Sequence, residues 1–401
     1  MIKFVFRQNL KYPLQLLIWN ILRDIECYLI SYFYSFEDSL IYTPLMFLGE
    51  FSTGLIINQY QKKFLTKNKT NEKSKISFPV LIREKKRPTI HTLDSKAKIL
   101  YIIFYGAFCD FLQFVLSLYT SKFINISVSI ETRLRGIFTI NNALFYYYIL
   151  KLPIFSHQKL SLIIIGICLV FIIFTEFIFQ EINIFLTYWL FAAFLILTFI
   201  ILFVSAQVES YEKYLFEYDN LDPFYILKYE GIFGFFLTFI YSLFHSPFDD
   251  IIKFQKNQSS LDLFILIFAL ILYIILSGLK NSYRLLTTKI YSPMVATFMD
   301  YILNPLVLIY NFIFDDDFTP YGKRNYAYFI INLIISVIVT FCGCIYNEFF
   351  IIFCYNLERD THDQITTRSI VETELSSIYD INDENNNNDE NIQNNAESIY
   401  I

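Results

Sequence analysis

Apolar residues run for about twenty positions at a time between short polar breaks, and the pattern recurs along most of the chain. A helical stretch of that length spans the ~30 Å hydrocarbon core of a bilayer, so each run predicts a transmembrane segment. Ten are delimited, at about 12–36, 38–58, 98–121, 124–150, 160–179, 184–207, 224–245, 261–279, 290–314 and 326–354. The first is the weakest, because Arg23, Asp24 and Glu26 interrupt it; it either crosses the membrane or lies along its surface. Pro293 and Pro305 should bend the ninth, since a proline inside a helix removes a backbone donor and crowds the preceding turn.

Helical spacing gathers the polar residues inside these runs into faces. In the fourth segment Glu131, Arg135, Thr139, Asn142 and Tyr146 share one face, and Glu131 precedes Arg135 by one turn, the better order for an ion pair. Arg133 points elsewhere on that helix. The third segment offers Asp110, Gln113 and Ser117, and the seventh Glu230, Gly234, Thr238 and Tyr241. The ninth offers Thr297, Asp300, Asn304 and Asn311, and the tenth Asn332, Ser336, Thr340 and Asn347.

A charge at the bilayer centre costs about 2.5–3.5 kcal/mol on insertion scales, so ionisable residues there mark a partner, a watery cavity or a substrate. Asp110, Gln113, Glu131, Arg135, Asn142, Glu230, Asp300 and Asn304 are therefore the candidates for substrate binding or coupling. Arg135 suits an anionic group, because its planar fork donates several hydrogen bonds at once. Asp110, Glu230 and Asp300 are the candidates for proton coupling. The tenth segment carries only Asn, Ser and Thr, the usual glue of helix–helix packing.

Composition agrees with the pattern. Hydrophobic residues make up 55% of the 401 and charged residues only 17%, against about a quarter charged in soluble domains. Mean hydropathy is +0.44. The fold class is thus an all-α polytopic membrane protein. The 45 Phe and 31 Tyr, with abundant Ile, Asn and Lys, look like codon bias and carry no argument for ligand stacking. The six cysteines lie in or beside apolar segments, where they behave as small hydrophobes. No disulfide framework, metal site or cofactor motif is expected, and no cleavable signal peptide is convincing at the N-terminus.

Charge placement sets orientation. The loop at 60–98 carries twelve Lys or Arg, which the positive-inside rule puts in the cytosol. Alternation then places Lys151, His157 and Lys159 in one cytosolic loop and Lys280, Arg284 and Lys289 in another. Glu181, Asp249, Asp250 and Asp315–Asp317 fall on the far side, where Asn257 is the glycosylation candidate. The stretch Glu209–Asp222 becomes a cytosolic loop that is acidic, an exception to the rule. Residues 359–401 end in an acidic, Asn-rich run that cannot bury enough apolar surface to fold.

Several of these residues carry a family resemblance. Leu45-Met-Phe-Leu-Gly-Glu-Phe-Ser, Asp110 and Arg133-Leu-Arg-Gly resemble the first repeat of the nucleotide-sugar-transporter-like branch of the drug/metabolite transporter superfamily. Lys151 through His157-Gln158 to Gly166-Ile167 continues the likeness. Gln207-Val-Glu-Ser-Tyr-Glu-Lys-Tyr and Tyr229-Glu-Gly-Ile-Phe-Gly-Phe extend it into the second half. It covers about residues 40–355 and is greatest to the F subfamily of solute carrier family 35.

The resemblance implies about ten transmembrane helices in two inverted five-helix repeats, with both termini cytosolic and the substrate site between the repeats. The first repeat would be 38–180 and the second 181–358, after an N-terminal segment of 1–37. The family's polar positions fall on Glu50, Asp110, Arg135, Gly136, Glu230 and Asp300. Three departures stand out: Leu303 or Asn304 occupies the place of an Arg that usually follows the ninth-helix Asp, Arg133 replaces an apolar residue, and the first span is weak.

The function expected is secondary transport of a small anionic metabolite across an intracellular endomembrane by alternating access. The alternative is a membrane scaffold or receptor-like protein of the same fold that has lost transport. An enzyme is disfavoured: His245-Ser-Pro-Phe-Asp-Asp250 matches the short H-x4-D acyltransferase pattern, but at a luminal helix end without supporting motifs. The partners expected are a small-molecule substrate and the lipid bilayer, with a homodimer allowed and no nucleic acid.

Overall fold

The computed structural model describes residues 2–4, 11–34, 39–67, 95–124, 134, 136–150, 154–179, 185–219, 221–245, 260–314 and 326–352. They are almost wholly helical. In chain order the elements are β1 (Ile2–Phe4), α1 (Lys11–Tyr34), α2 (Ser39–Lys67), α3 (Ser95–Ile124), α4 (Gly136–Leu150) and α5 (Ser156–Phe179). There follow α6 (Phe185–Tyr218), α7 (Pro223–His245), α8 (Ser260–Ile290), α9 (Pro293–Tyr301), α10 (Asn304–Phe314), α11 (Tyr326–Tyr346) and β2 (Phe350–Ile352).

Among the described residues, seven stretches are long and apolar enough to cross a membrane: Lys96–Leu116, Ser156–Thr175, Leu195–Glu217, Pro223–Phe244, Asp262–Ile290, Pro293–Tyr310 and Tyr326–Tyr346. Their exposed sides are apolar. On α8, Phe264, Phe268, Ile271 and Ile275 form an exposed stripe at helical spacing, and Ile330, Ile334, Val337 and Phe341 do the same on α11. Contiguous apolar surface of this kind is ruinous in water and natural in lipid. The buried polar residues of α8, Ser277, Asn281 and Thr288, lie further along the same helix. The chain is a multi-pass membrane protein.

Two compact units form. The described residues of Met1–Arg7, Ile154–Ser161 and Gly343–Ile401 make one, and those of Gln8–Pro153 and Leu162–Cys342 make the other.

In the smaller unit β1 pairs antiparallel with β2 in the register Ile2↔Ile352, Lys3↔Ile351 and Phe4↔Phe350. The expected tenth segment therefore ends early: α11 stops at Tyr346, and Phe350–Ile352, read as part of a span, is strand. The stop is built from backbone. The N–H of Phe349 reaches the carbonyl of Cys344 and that of Glu348 the carbonyl of Ile345, a helix-ending turn closed through a left-handed residue. Glu348 takes that conformation at φ 59°. Its Oε1 lies 3.5 Å from Nε2 of His157, in the first turn of α5, and the His157 ring stacks on Phe155. His157 is buried and helical, where a cytosolic loop was expected.

In the larger unit α2 is wedged between α7 and α8 by glycines. A Cβ on Gly278 of α8 would fall on Thr53 Oγ1 and the Gly49 carbonyl, and one on Gly49 would fall on the Ile274 carbonyl. On the other side, Gly231 of α7 leaves no room for a Cβ against the backbone of Phe47 and Phe51. Small residues at such crossings bring backbones into contact, the packing that holds helices together where lipid removes the hydrophobic drive.

The interrupted first segment is one continuous helix. α1 packs Ile30 with Leu266 and Tyr273 of α8, and Trp19 stacks on Tyr283 of the same helix. The ninth segment breaks rather than bends. Ser292 caps α9 through Val295 N–H with Pro293 in its first turn, and a new helix starts from the Leu303 carbonyl, which accepts from Leu306 and Val307. Pro305 sits in the first turn of α10, where its missing donor costs nothing.

Candidate functional site

The largest revision concerns α6 and α8, which run well past the ends expected for them. α6 continues to Tyr218 and α8 to Ile290, so Glu209–Asp222 and Lys280–Lys289 are for the most part helix rather than cytosolic loop. Helical continuation keeps the inward faces going. Ser205, Glu209 and Glu212 follow one another on α6, and Ser277, Asn281, Arg284 and Thr288 on α8, at steps of three and four residues. Each face delivers charge to the core of the unit.

Arg284 is the hub. Its Nη1 and Nη2 donate to the two carboxylate oxygens of Glu212, each at 3.1 Å, as a bidentate fork. Nη1 is also 3.6 Å from Glu209 Oε1, and Nη2 is 3.8 Å from Glu230 Oε2 on α7. Asp110 of α3 and Glu50 of α2 complete the surroundings within electrostatic reach. The Asp110 and Glu230 carboxyl groups meet side chain to side chain. Thus α2, α3, α6 and α7 each present carboxyl groups to one guanidinium from α8. Glu50, Glu209, Glu212 and Glu230 are all less than 10% exposed.

Neutral donors fix the acids in place. Asn281 hydrogen-bonds Oε1 of Glu50, while Oε2 of that carboxyl is buried without a hydrogen-bond partner among the described residues. Asn142 of α4 donates to Glu209 Oε2 at 2.9 Å and to Thr297 Oγ1 at 3.1 Å, and Thr297 of α9 is itself 3.1 Å from Glu209 Oε2. Thr139, one turn before Asn142, donates to the Tyr301 hydroxyl. Gly106 of α3 lies beside Glu230: a Cβ there would stand 3.1 Å from Val208 and 3.4 Å from Glu230 Oε1.

A second basic group closes the end of α8. Lys213 Nζ donates to the Lys289 carbonyl at 2.9 Å and the Tyr291 carbonyl at 3.2 Å, and pairs with Glu217 at 3.1 Å. A cation on the free carbonyls of a helix C-terminus is well placed. Lys289 reaches across to the Leu221 carbonyl in the α6–α7 turn. In that turn Asp222 lies outside the spans. Burial pushes its carboxyl above the usual aspartate range, against the smaller pull of the Phe224 N–H and Lys289.

Of the residues predicted for the site, the structure brings Asp110, Asn142 and Glu230 to this centre. Gln113 lies one turn beyond Asp110 and accepts from Ser205 of α6 at 3.1 Å. Asp300 takes a 2.6 Å hydrogen bond from Asn20 of α1. Asn304 is parted from Asp300 by the break between α9 and α10. Glu131, Arg133, Arg135 and the glycosylation candidate Asn257 lie outside the described residues, as do most of the basic loop at 60–98 and the tail at 359–401. In α11 Asn332 donates to the Tyr328 carbonyl of its own helix, a packing role.

Arg284, Glu209 and Glu212 were missed because the charges themselves ended the apolar windows. The step from Ser277 through Asn281 to Arg284 was the signal available. Among the described residues, no three His, Cys, Asp or Glu side chains converge as ligands for a metal ion. No family model matches the chain, and no curated protein matches it.

Proposed function

We propose that the chain is a secondary transporter that binds a small charged metabolite at the Arg284 centre and carries it by alternating access. One observation carries the reading: a guanidinium and five carboxyl groups are gathered from five helices inside a membrane protein. Ionisable groups in a membrane are expensive, and where they cluster in a bundle interior they mark substrate or ion pathways by default. The break between α9 and α10 follows the helix that brings Thr297 to the centre. Interrupted helices beside a polar site are a recurring feature of transporters.

The resemblance to the nucleotide-sugar-transporter-like branch, and within it to the F subfamily of solute carrier family 35, supports the same reading. It adds about ten spans in two inverted repeats and an endomembrane location. The anionic substrate expected from Arg135 rests on a residue outside the described ones. The close enclosure of the whole charge cluster favours one second reading, a scaffold of this fold in which the centre only holds helices together.

Alternating access separates the two. Thr297→Cys, in a chain whose native cysteines are replaced, is reconstituted and treated with a membrane-impermeant maleimide on each face in turn. The transporter reading expects labelling from both faces. Labelling from one face only, or from neither, contradicts it and leaves the scaffold.

A further inference from the structure

We infer that the Arg284 centre accepts a small organic cation, an amine or a guanidine, at Glu50 and Glu230 beside the Arg284–Glu212 pair. The inference rests on the transporter reading above and gives the class of substrate.

Charge is the first ground. Among the described residues, the groups that face the centre with a formal charge are Glu50 from α2, Asp110 from α3, Glu209 and Glu212 from α6, Glu230 from α7 and Arg284 from α8. Asp300 on α9 adds a further carboxylate within reach of Glu209. Among these described groups one guanidinium does not balance the carboxyl groups, which leaves room for a second cation or for protons. An anion brought here would meet carboxyl groups on most of its sides, and every one of them that is ionised would repel it.

Glu50 is the second ground, and it is independent of the count. The residue is 4% exposed. Asn281 occupies one of its oxygens, and among the described residues no donor reaches the other. A buried carboxylate oxygen without a donor is costly to keep, and here it lies among groups that a cationic N–H would satisfy. Oε2 of Glu230 is in a similar position: among the described residues it has no hydrogen-bond partner, and Arg284 approaches it at 3.8 Å.

Geometry narrows the class. The acids come from four helices and do not converge as metal ligands among the described residues, so their charge is spread over the dimensions of a small organic ion. The group already seated there is a guanidinium held by a bidentate carboxylate. A ligand with two or more N–H donors on a cationic centre would reproduce those bonds with Glu50 and Glu230, and would let Arg284 stay with Glu212.

The test reads the sign of charge that the open centre admits. Thr297→Cys, and independently Ser277→Cys on α8, are reconstituted without native cysteines and treated with two thiosulfonate reagents of similar size, one quaternary ammonium and one sulfonate. The cationic reagent is expected to react faster than the anionic one by about ten-fold or more, the scale on which a like-charged cleft concentrates counter-ions. The advantage should shrink in Glu50→Gln at both positions. Equal rates, or a faster sulfonate, overturn the inference and leave the transporter reading standing. If neither reagent reacts at either cysteine from either face, the transporter reading falls and the inference with it.

Discussion

Both oxygens of Glu212 accept from Arg284 at 3.1 Å, across 72 residues of chain and between helices α6 and α8. Neither residue lies in the loop that hydropathy draws for it. The pair is bidentate and enclosed, while other carboxyl groups approach the same guanidinium more loosely.

The first prediction concerns the docking of α1. Asn20 donates to Asp300 at 2.6 Å, joining the first helix to α9. Hydrogen bonds to charged groups contribute about 1.5–3 kcal/mol, so Asn20→Leu should lower stability by up to about that amount. Chemical denaturation in detergent micelles reads it. An unchanged midpoint would mean that α1 is held by its apolar contacts alone.

Glycine positions should divide sharply. At Gly278 an added methyl meets Thr53 Oγ1 and the Gly49 carbonyl, so Gly278→Ala should cost about 1–3 kcal/mol, the range for overpacking. At Gly166 the nearest atom to a new Cβ is Ile140 Cδ1 at 3.9 Å. Gly166→Ala should therefore be neutral or stabilise by up to about 1 kcal/mol through helix propensity. Thermal melts of the two variants side by side check the contrast, and equal losses would show that α2 and α8 are not in backbone contact.

Asp222 gives a pH dependence with a definite sign. Its carboxyl is raised in the folded chain by burial, so the unfolded chain ionises first as pH rises. The contribution is therefore fully present below the unfolded value of about 3.9 and is lost as pH rises through the folded one. Asp222→Asn should melt higher than the native chain at neutral pH, and the gap should close towards about pH 4. A gap of the opposite sign at neutral pH would mean that Lys289 outweighs burial.

Much of this was legible in the sequence, and what was not has a physical reason. Runs of about twenty apolar residues identify helices because a bilayer rewards that length. Asp110, Asn142 and Glu230 were found because each lies inside such a run. Glu209, Glu212 and Arg284 were hidden because hydropathy averages over a window: charges near a helix end cut the window short and look like a loop. Only the spacing of Ser277, Asn281 and Arg284 says that the helix goes on. The partners of Arg284 were beyond reach for another reason. Which helices meet depends on glycines such as Gly49, Gly231 and Gly278, whose effect is felt only once two backbones touch. The helix break after Tyr301 was half visible, since Pro305 announces an interruption but cannot say whether the chain bends or starts anew.

The central claim is that Arg284 is bound to Glu212 inside the helical core. A double-mutant cycle of Arg284→Met and Glu212→Gln, read by unfolding in detergent, tests it most directly. Each single change strips a buried charge of its partner and should cost about 3–5 kcal/mol. The double variant should lose clearly less than the sum of the two. Losses that add to within about 0.5 kcal/mol, as those of distant independent sites do, would contradict the claim.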